Sequence, residues 1–351
     1  MIVSVIIPCR NEEQNIAACV NAVFASKLPA GCSLEVFVVD GQSSDKTQEI
    51  IQKLQQKHPA LQYISNPKRI TPVAFNLGIN ASKGEYIQVV GARQIIADDY
   101  ILRGVERLQN QPEIWCVGGK VENVFENELG EIIARAMDTP FGVGGGNFRI
   151  LKESTYVDTI GTPLFRRSVF EKVGLFDEDL VRNQDDELSF RIIKAGGKIF
   201  LDIEMKVNYF VRGNFKNLFR QYFQYGYWKV YVNKKHRTIT TLRQLAPAAL
   251  MLFISIVLPV ALISLIGYVR SDFNKTIYVL PMIIYCFVTV PYVFIAGITA
   301  FQKAGKTVQA SDYFRTFLIL HSSYGLGYLQ GILHFLILRK NPSKKHTDLS
   351  R

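Results

Sequence analysis

Three uncharged, largely apolar stretches close this sequence, Gln244 to Val269, Thr276 to Gln302 and Thr316 to Leu338. Each is long enough to cross a bilayer as a helix, because a hydrocarbon core about 30 Å thick takes roughly 20 residues at a helical rise of about 1.5 Å. The preceding part of the chain is different in kind: short apolar runs alternate with amphipathic segments and polar turns, as in an α/β domain. A chain of 351 residues has room for one such domain and a membrane region, and the 48% apolar content is raised by that region. The expected division is an α/β domain over residues 1–210, a basic aromatic interfacial region over 211–243, a membrane region of two to three helical spans over 244–338, and a basic tail over 339–351. Chemistry performed by the front half is then performed at a membrane, which points to a substrate that is lipid-borne or has to cross.

The net charge of +11 is concentrated. Nine basic residues fall between Met205 and Arg243 (Lys206, Arg212, Lys216, Arg220, Lys229, Lys234, Lys235, Arg237 and Arg243), with no Asp or Glu among them. They are interleaved with Phe215, Phe219, Tyr222, Phe223, Tyr225, Tyr227, Trp228 and Tyr231. Just ahead of an apolar stretch, cations and aromatic rings suit an anionic leaflet and its headgroup zone, each cation contributing about 1 kcal/mol. Asn214 to Tyr231 is therefore expected as an interfacial helix, and a nucleic-acid partner is not expected. The opening MIVSVIIPCRNEE lacks the basic front and cleavage site of a secretory signal, so the front half is expected to face the cytosol from the cytoplasmic membrane. Cys9, Cys19, Cys32, Cys116 and Cys286 show no metal-ligand spacing and read as small apolar residues in a reducing compartment. Three spans put Arg339, Lys340, Lys344 and Lys345 outside, against the positive-inside tendency. Either one segment is partial, re-entrant or interfacial, with Pro259, Pro281, Pro291 or the Gly325 and Gly327 pair as helix breakers, or the tendency is overridden here. His321 and His334 in the last stretch are expected to hydrogen-bond between helices.

In the front half, Val3 to Ile7 reads as a buried strand, Glu12 to Phe24 as a helix and Leu34 to Val39 as a second strand. Asp45 to Gln56 and Thr71 to Asn80 read as helices, the former capped by Ser44 or Asp45, and Tyr86 to Val90 as another strand. Such alternation predicts a mostly parallel sheet with ligand groups at the carboxyl ends of its strands. Asp40 stands at one of those ends, where a carboxylate accepts from a nucleobase N–H or a ribose hydroxyl. A turn and helix cap is the alternative for Asp40 and the Gly41 to Asp45 run after it.

SVIIPCRNEEQNI, VFVVDGQSSDKT and NPKRITPVAFNLGINASKGEYI, in that order and spacing, resemble the nucleotide-binding half of inverting glycosyltransferase family 2. The resemblance continues through Gly142 to Arg149, Asp158-Thr159, Val181 to Arg191 and Gln221 to Lys229, a longer pattern similar to the membrane-bound succinoglycan-biosynthesis type. It implies a GT-A fold binding a nucleoside diphosphate sugar, with UDP-sugars expected first, and transfer to a hydroxyl of a lipid-linked acceptor. By motif, Pro8, Arg10, Asn11 and Glu12 line the nucleotide loop, Asp40 meets the base, and Asp185 is the catalytic base, with Gln184 where many relatives have glutamate. Lys68, Arg69 and Asn76 are candidates for phosphate contact. Gly144, Gly145 and Arg149 are candidates for the acceptor side, with Gln221 and Trp228 toward the membrane. Arg166 and Arg167 are expected near the mouth of the site.

Independently of the motif, inversion at an anomeric carbon needs one carboxylate to take the acceptor's proton. Asp185, Asp186 and Glu187 are adjacent, so mutual repulsion favours a proton on one of them, although acids ahead of a helix at Leu188 to Ala195 also serve as dipole caps. The family usually follows the fourth strand with an Asp-x-Asp or Asp-x-His motif that holds Mg²⁺ or Mn²⁺. Here the residues are Gly91-Ala92-Arg93-Gln94. Either Arg93 meets the diphosphate charge in the metal's place, or another carboxylate such as Asp98 or Asp99 binds the ion, or activity has been lost. The readings carried forward are transfer to a lipid-linked saccharide, transfer to a polyprenyl phosphate, and a silent nucleotide-sugar-binding scaffold. The residues Gln221, Gln224 and Trp228 do not form the Gln-x-x-Arg-Trp run of processive synthases.

Overall fold

A computed structural model describes residues 1–125, 127–145, 148–211, 213–270, 276–304, 309–340 and 342. Gly146, Asn147, Arg212, Lys344 and Lys345 lie outside the described residues. The chain forms two units, Met1–Val124 with Gly146–Val211, and Phe125–Gly145 with Arg212–Arg351. In chain order the elements begin β1 (Ile2–Cys9), α1 (Ile16–Phe24), β2 (Ser33–Asp40), α2 (Thr47–Lys57), β3 (Leu61–Ser65), α3 (Thr71–Ala81) and β4 (Tyr86–Val89). Then come β5 (Gln94–Ile96), α4 (Tyr100–Asn110), β6 (Ile114–Phe125), α5 (Glu128–Met137), α6 (Pro140–Val143), β7 (Thr155–Val157) and β8 (Leu164–Arg166). The remainder is α7 (Ser168–Val173), α8 (Gln184–Lys194), β9 (Lys198–Val211), α9 (Phe215–His236), α10 (Leu245–Arg270), α11 (Leu280–Lys303) and α12 (Ala310–Gly331), the last running into a π-helical turn at Ile332–Ile337.

The first unit is built on one sheet ordered β3-β2-β1-β4-β8-β6-β9-β5, with β7 added on β9. β3, β2, β1 and β4 are parallel. β8 then pairs antiparallel with β4 and β6, and β5 and β7 pair antiparallel with β9. Both faces are covered, which is why β1 and β2 read as unbroken apolar runs. Val3, Val5, Ile7, Val36 and Val38 point into one core with α1, α2 and α4, while Ile6, Phe37 and Val39 point into the other with α3, α7 and α8. The chain winds outward from β1 to β2 and β3, then returns to the other side of β1 as β4. The crevice beyond the carboxyl ends of β1 and β4 is thus the switch point of the sheet, where open α/β sheets bind ligands.

Two helices begin a full turn away from the expected position, and α2 begins at Thr47 with Asp45 outside it. α1 starts at Ile16 because residues 12–15 form a turn in which Asn15 N and Ile16 N both donate to Glu12 O. α8 starts at Gln184, so Asp185, Asp186 and Glu187 form its first turn and do not precede it.

In the second unit α10 and α11 are long and apolar enough to cross a membrane, within the stretches Leu242–Arg270 and Thr276–Lys303. Their surfaces are open along most of their length, with Ile256, Ile263, Ile283, Phe287 and Phe294 exposed. Neither breaks at its prolines: Pro259 lies inside α10, Pro291 inside α11, and Pro281 in the first turn of α11, where its missing N–H has no partner to lose. The third apolar stretch has a different use. α12 carries Asp312 and Arg315 and buries Tyr313, Thr316, Phe317, Leu320, Ser323 and Tyr324 within the unit.

Gly325 and Gly327 do not interrupt α12; they are points of close packing. A Cβ on Gly327 would lie 2.0 Å from Phe223 O of α9, one on Gly226 of α9 would lie 2.1 Å from Tyr324 O, and one on Gly325 would lie 2.3 Å from Pro247 O of α10. α9 is therefore a packed helix, and Trp228 is wholly buried against Tyr227, Tyr231 and Phe335. The histidines bridge helices: His334 Nδ1 meets Tyr227 Oη, and His321 lies between Tyr292 Oη at 2.9 Å and Phe141 O at 2.8 Å. That last contact, with α5 and α6 packed on α12, draws Phe125–Gly145 into the second unit and divides the stretch expected to be one domain. Gly327→Leu is expected to destabilise this unit by about 3 kcal/mol through overpacking, seen as a lowered melting temperature in detergent, while Gly297→Leu, with open space at its Cβ, changes it little.

Candidate active site

The carboxyl ends of β1 to β4 supply four loops that interlock. Pro8 lies past the last β1–β4 pair, Ile6↔Val89, and pairs with Val39 on its other neighbour. Ile6 O accepts from Val90 N on the β4 side, so the N–H that Pro8 lacks falls on that same side, where β4 has already ended. Proline thus leaves no orphan donor at the mouth of the crevice.

The β1 loop is tied to the β2 loop. Asn11 N donates to Ser43 Oγ at 2.8 Å, Ser44 N to Asn11 Oδ1 at 2.8 Å and Glu12 N to Thr47 Oγ1 at 2.8 Å. Arg10 lies across Gly41, where a Cβ would stand 3.2 Å from its side chain. Asp40, at 1% exposure, accepts from Ser43 N at 3.1 Å, Ser43 Oγ at 2.5 Å and Tyr63 Oη at 3.2 Å. Burial, and then the Asp40 charge, push the Tyr63 phenol above its ordinary range, so it stays a donor. Asp40 thus clamps the turn. Asp45 accepts from Thr47 N at 3.0 Å at the head of α2.

The β3 loop joins the β2 loop through Arg69, whose Nε and Nη2 both donate to Gln42 Oε1, at 2.8 and 2.5 Å. Lys68 pairs with Glu178 at 2.8 Å on the surface. Asn76, a candidate for phosphate contact, is buried at 5%, and its amide is engaged elsewhere: Nδ2 donates to Phe176 O at 2.9 Å and Oδ1 accepts from Phe176 N at 3.0 Å. It joins α3 to the loop before α8.

The β4 loop is a tight turn. Gln94 N donates to Gly91 O at 2.8 Å, and Gln94 Oε1 reaches back to Gly91 N at 2.6 Å. From this turn Arg93 Nε meets the Glu12 carboxylate at 2.9 Å, across the switch point, with the guanidinium side chain 26% exposed.

α8 is fastened at the same end of the sheet. Gln88 Nε2 donates to Thr162 O at 3.0 Å, Val89 N to Pro163 O at 2.9 Å, and Ser189 Oγ to Thr159 Oγ1 at 3.3 Å. Asp185 is four residues before Ser189, hence on the same face of α8. It is exposed and accepts from Asp186 N at 2.9 Å, while Asp186 is half-buried. Glu187 turns the other way: wholly buried, it pairs with Arg191 at 2.7 Å, and Arg191 in turn donates to Val173 O, Gly174 O and Leu175 O. The three acids therefore do not share one pocket.

Backbone strain marks the same edge. Among the described residues of the first unit, the non-glycine residues with positive φ are Asn11 (54°), Gln42 (55°), Arg69 (60°), Thr162 (50°) and Asn183 (62°), each in a segment already named or at the head of α8. Such conformations cost about 1–3 kcal/mol each and gather at functional sites. Sequence reasoning did not single out Gln42, Tyr63, Thr162 or Gln94 as parts of this scaffold.

Arg166 and Arg167, expected near the mouth, lie elsewhere. Arg166 and Arg167 donate to backbone carbonyls at Ile114 and Gly84, beyond the amino end of β4, because β8 runs antiparallel to β4. Arg149 is not among them: it lies over the Phe148 and Tyr209 rings, and Tyr209 pairs with Gln94 of the β4 turn. Gly144, Gly145, Gln221 and Trp228 belong to the second unit, where Gln221 Nε2 donates to Tyr225 Oη at 2.8 Å, Gly144 (φ 83°) faces Arg243, and Trp228 is core.

Residues 4–174 match the model of the family described as glycosyl transferase family 2. The succinoglycan biosynthesis protein ExoA of Rhizobium meliloti is 31% identical over 70% of this chain and 74% of its own length. The chain belongs to glycosyltransferase family 2. It is a glycosyltransferase with a GT-A nucleotide-sugar-binding fold followed by helices that include two apolar candidate membrane spans. A second relative, from Methanococcus voltae, is 31% identical over 64% of this chain and 71% of its own, and is named dolichyl N-acetyl-α-D-glucosaminyl phosphate 3-β-D-2,3-diacetamido-2,3-dideoxy-β-D-glucuronosyltransferase. The mannosyltransferase PcManGT from Pyrobaculum calidifontis, in complex with GDP-Man and Mn²⁺, shares the fold at a TM-score of 0.62 and 17% identity, over 94% of this chain and 86% of that one.

A cation such as that Mn²⁺ takes oxygen and nitrogen ligands. In this glycosyltransferase β4 is followed, after Val90, by a glycine, an alanine and an arginine. The next acids are engaged on the surface, Asp98 with Lys27 at 2.7 Å and Asp99 with Arg103 at 2.5 Å. Among the described residues no three His, Cys, Asp or Glu side chains are grouped to hold a metal. The residues at the position where the family's carboxylates are expected do not fit a divalent cation.

Proposed function

We propose that the protein transfers a sugar, with inversion, from a nucleoside diphosphate sugar to a hydroxyl of a lipid-linked saccharide at the cytosolic face of a membrane. The observation that carries this reading is the convergence at one sheet edge of the Arg10–Glu12 loop, the Gly91–Arg93 turn and the head of α8, in a chain that also carries two apolar helices. The nucleoside occupies the edge over β1 to β3, with Pro8, Arg10, Asn11 and Asp40 shaping its loops and Lys68 and Arg69 at the rim. The diphosphate lies at the switch point by Gly91 and Arg93.

Asp185 acts as general base. The acceptor oxygen bonds to the anomeric carbon from the face opposite the diphosphate while its proton passes to the Asp185 carboxylate. The bond from the anomeric carbon to the leaving oxygen breaks with its electron pair going to the diphosphate. One carboxylate suffices, because no glycosyl-enzyme forms. Asp186 beside it keeps the first turn of α8 negative, which the helix dipole favours.

A sugar-primed lipid is preferred to bare polyprenyl phosphate as acceptor. The Methanococcus voltae relative supports this, since its name gives a dolichyl phosphate already carrying a sugar. With α10 and α11 as spans and α12 packed on α9, an even number of crossings returns Arg339 and Lys340 to the cytosolic side, in keeping with the positive-inside tendency. Fluorescent-protein and alkaline-phosphatase fusions after residue 351 check this: fluorescence with no phosphatase activity is expected, and the reverse contradicts it.

The donor is tested by protection from thermal unfolding in detergent with UDP- and GDP-sugars, since a ligand bound only by the native state raises the melting temperature, by about 2.7 kcal/mol of added stability at a hundredfold excess over Kd. A positive donor is then offered a sugar-primed polyprenyl lipid beside the bare polyprenyl phosphate. Product from the primed lipid alone is expected. Product from the bare phosphate alone assigns the other acceptor.

A further inference from the structure

This inference rests on the donor reading above. Three observations meet at the switch point. The turn Gly91–Gln94 closes on itself through Gln94, so its backbone has a fixed shape. Arg93 leaves that turn toward the β1 loop and is held by Glu12 through Nε, the inner guanidinium nitrogen. The residues after β4 carry no carboxylate suited to a cation, the nearest being engaged with Lys27 and Arg103.

We infer that Arg93, oriented by Glu12, presents the two outer nitrogens of its guanidinium to the donor's diphosphate and neutralises the charge that develops as the sugar leaves, so that donor binding and transfer need no divalent cation. The planar fork matches two phosphate oxygens, and charge-assisted hydrogen bonds of this kind are about twice as strong as neutral ones. Its grip on Glu12 fixes the rotamer before the donor arrives, so little reorganisation is left for the transition state. Glu12 is a positioning residue: it acts through Arg93 and keeps the cation from folding back on the protein surface.

The test is equilibrium binding of UDP, GDP, UMP and GMP to the whole chain in detergent, in excess EDTA and again with Mn²⁺, for the wild type, Arg93→Gln and Arg93→Lys. The wild type is expected to bind its preferred diphosphate equally well in EDTA and in Mn²⁺. Arg93→Gln is expected to weaken that diphosphate by about tenfold or more while leaving the monophosphate of the same base nearly unchanged, and Mn²⁺ is not expected to restore it. Arg93→Lys falls between, because the charge stays and the fork is lost. Retained binding of the matching monophosphate shows that the variants fold. Binding that disappears in EDTA and returns with Mn²⁺, or a diphosphate-to-monophosphate ratio unchanged by Arg93→Gln, overturns the inference and leaves the donor reading standing. Failure of the wild type to bind either diphosphate under both conditions overturns the donor reading and this inference with it.

Discussion

Asp185→Asn is expected to lower sugar transfer by about a thousandfold, within the range of about 10²–10⁴ that a general base contributes, with no change in nucleotide affinity or melting temperature. The asparagine keeps the shape and loses the proton affinity. Asp185 is exposed on the first turn of α8, and its oxygen contact with Asp186 N is one that an amide oxygen reproduces. Transfer rates with saturating donor, set beside UDP and GDP affinities for the same preparation, check the prediction. A loss confined to affinity would remove Asp185 from the proton's path. Cellular polysaccharide left unchanged by the substitution would favour the silent scaffold.

Glu187→Ala, two residues on, is expected to act in the opposite way, lowering stability by about 3–5 kcal/mol. Glu187 is wholly buried, and its carboxylate takes Arg191 Nε at 2.9 Å and Nη2 at 2.7 Å. Removing it leaves a largely buried guanidinium without its counter-charge and loosens the hold on the carbonyls of Val173, Gly174 and Leu175. The melting temperature is expected to fall by on the order of 10 °C. The double variant Glu187→Leu, Arg191→Leu is expected to recover part of the loss, because an apolar pair leaves no buried charge. An unchanged melting temperature for Glu187→Ala would show that the pair contributes nothing. Together the two substitutions separate chemistry from architecture within one acidic run.

That separation marks where sequence reading stopped. Asp185, Asp186 and Glu187 look alike as letters, and their different fates follow from helical periodicity counted from Gln184, a start hidden by the left-handed Asn183 before it. The parallel half of the sheet was legible because β1 and β2 are buried on both faces and carry continuous Val and Ile runs. β3 was missed because an edge strand reading Leu-Gln-Tyr-Ile-Ser has little such signal, and the antiparallel strands β5 to β9 were not read from the sequence. Asn76 drew attention as a polar residue on a helix near phosphate-type loops, but its amide serves the backbone of Phe176, a hundred positions away in sequence. Arg166 and Arg167 misled because strand direction, which sends them to the far end of β4, is not written in their immediate neighbours.

The apolar carboxyl-terminal half shows a similar limit. Composition cannot separate a helix that faces lipid from one that faces other helices. α10 and α11 leave their aliphatic side chains open, whereas α12 uses Gly327 to approach the backbone of α9 and Gly325 to approach that of α10, closer than any side chain allows. Glycine is unfavourable within a helix, which makes Gly325 and Gly327 look like breakers in the sequence, and here close packing between helices offsets that cost. By composition Trp228 belongs to an aromatic belt, yet it lies in the core among Tyr227, Tyr231 and Phe335.

The central claim is that the diphosphate of the donor and the carboxylate of Asp185 share one opening at the switch point between β1 and β4. An experimental structure of the full-length protein with a bound nucleoside diphosphate sugar tests it most directly. The account predicts the phosphates against Arg93 and the Gly91 turn, with the anomeric carbon turned toward Asp185 so that an acceptor oxygen fits between them at about 3 Å from the carboxylate. A donor seated away from Gly91 and Arg93, or with Asp185 on the far side of α8 from the sugar, would contradict it.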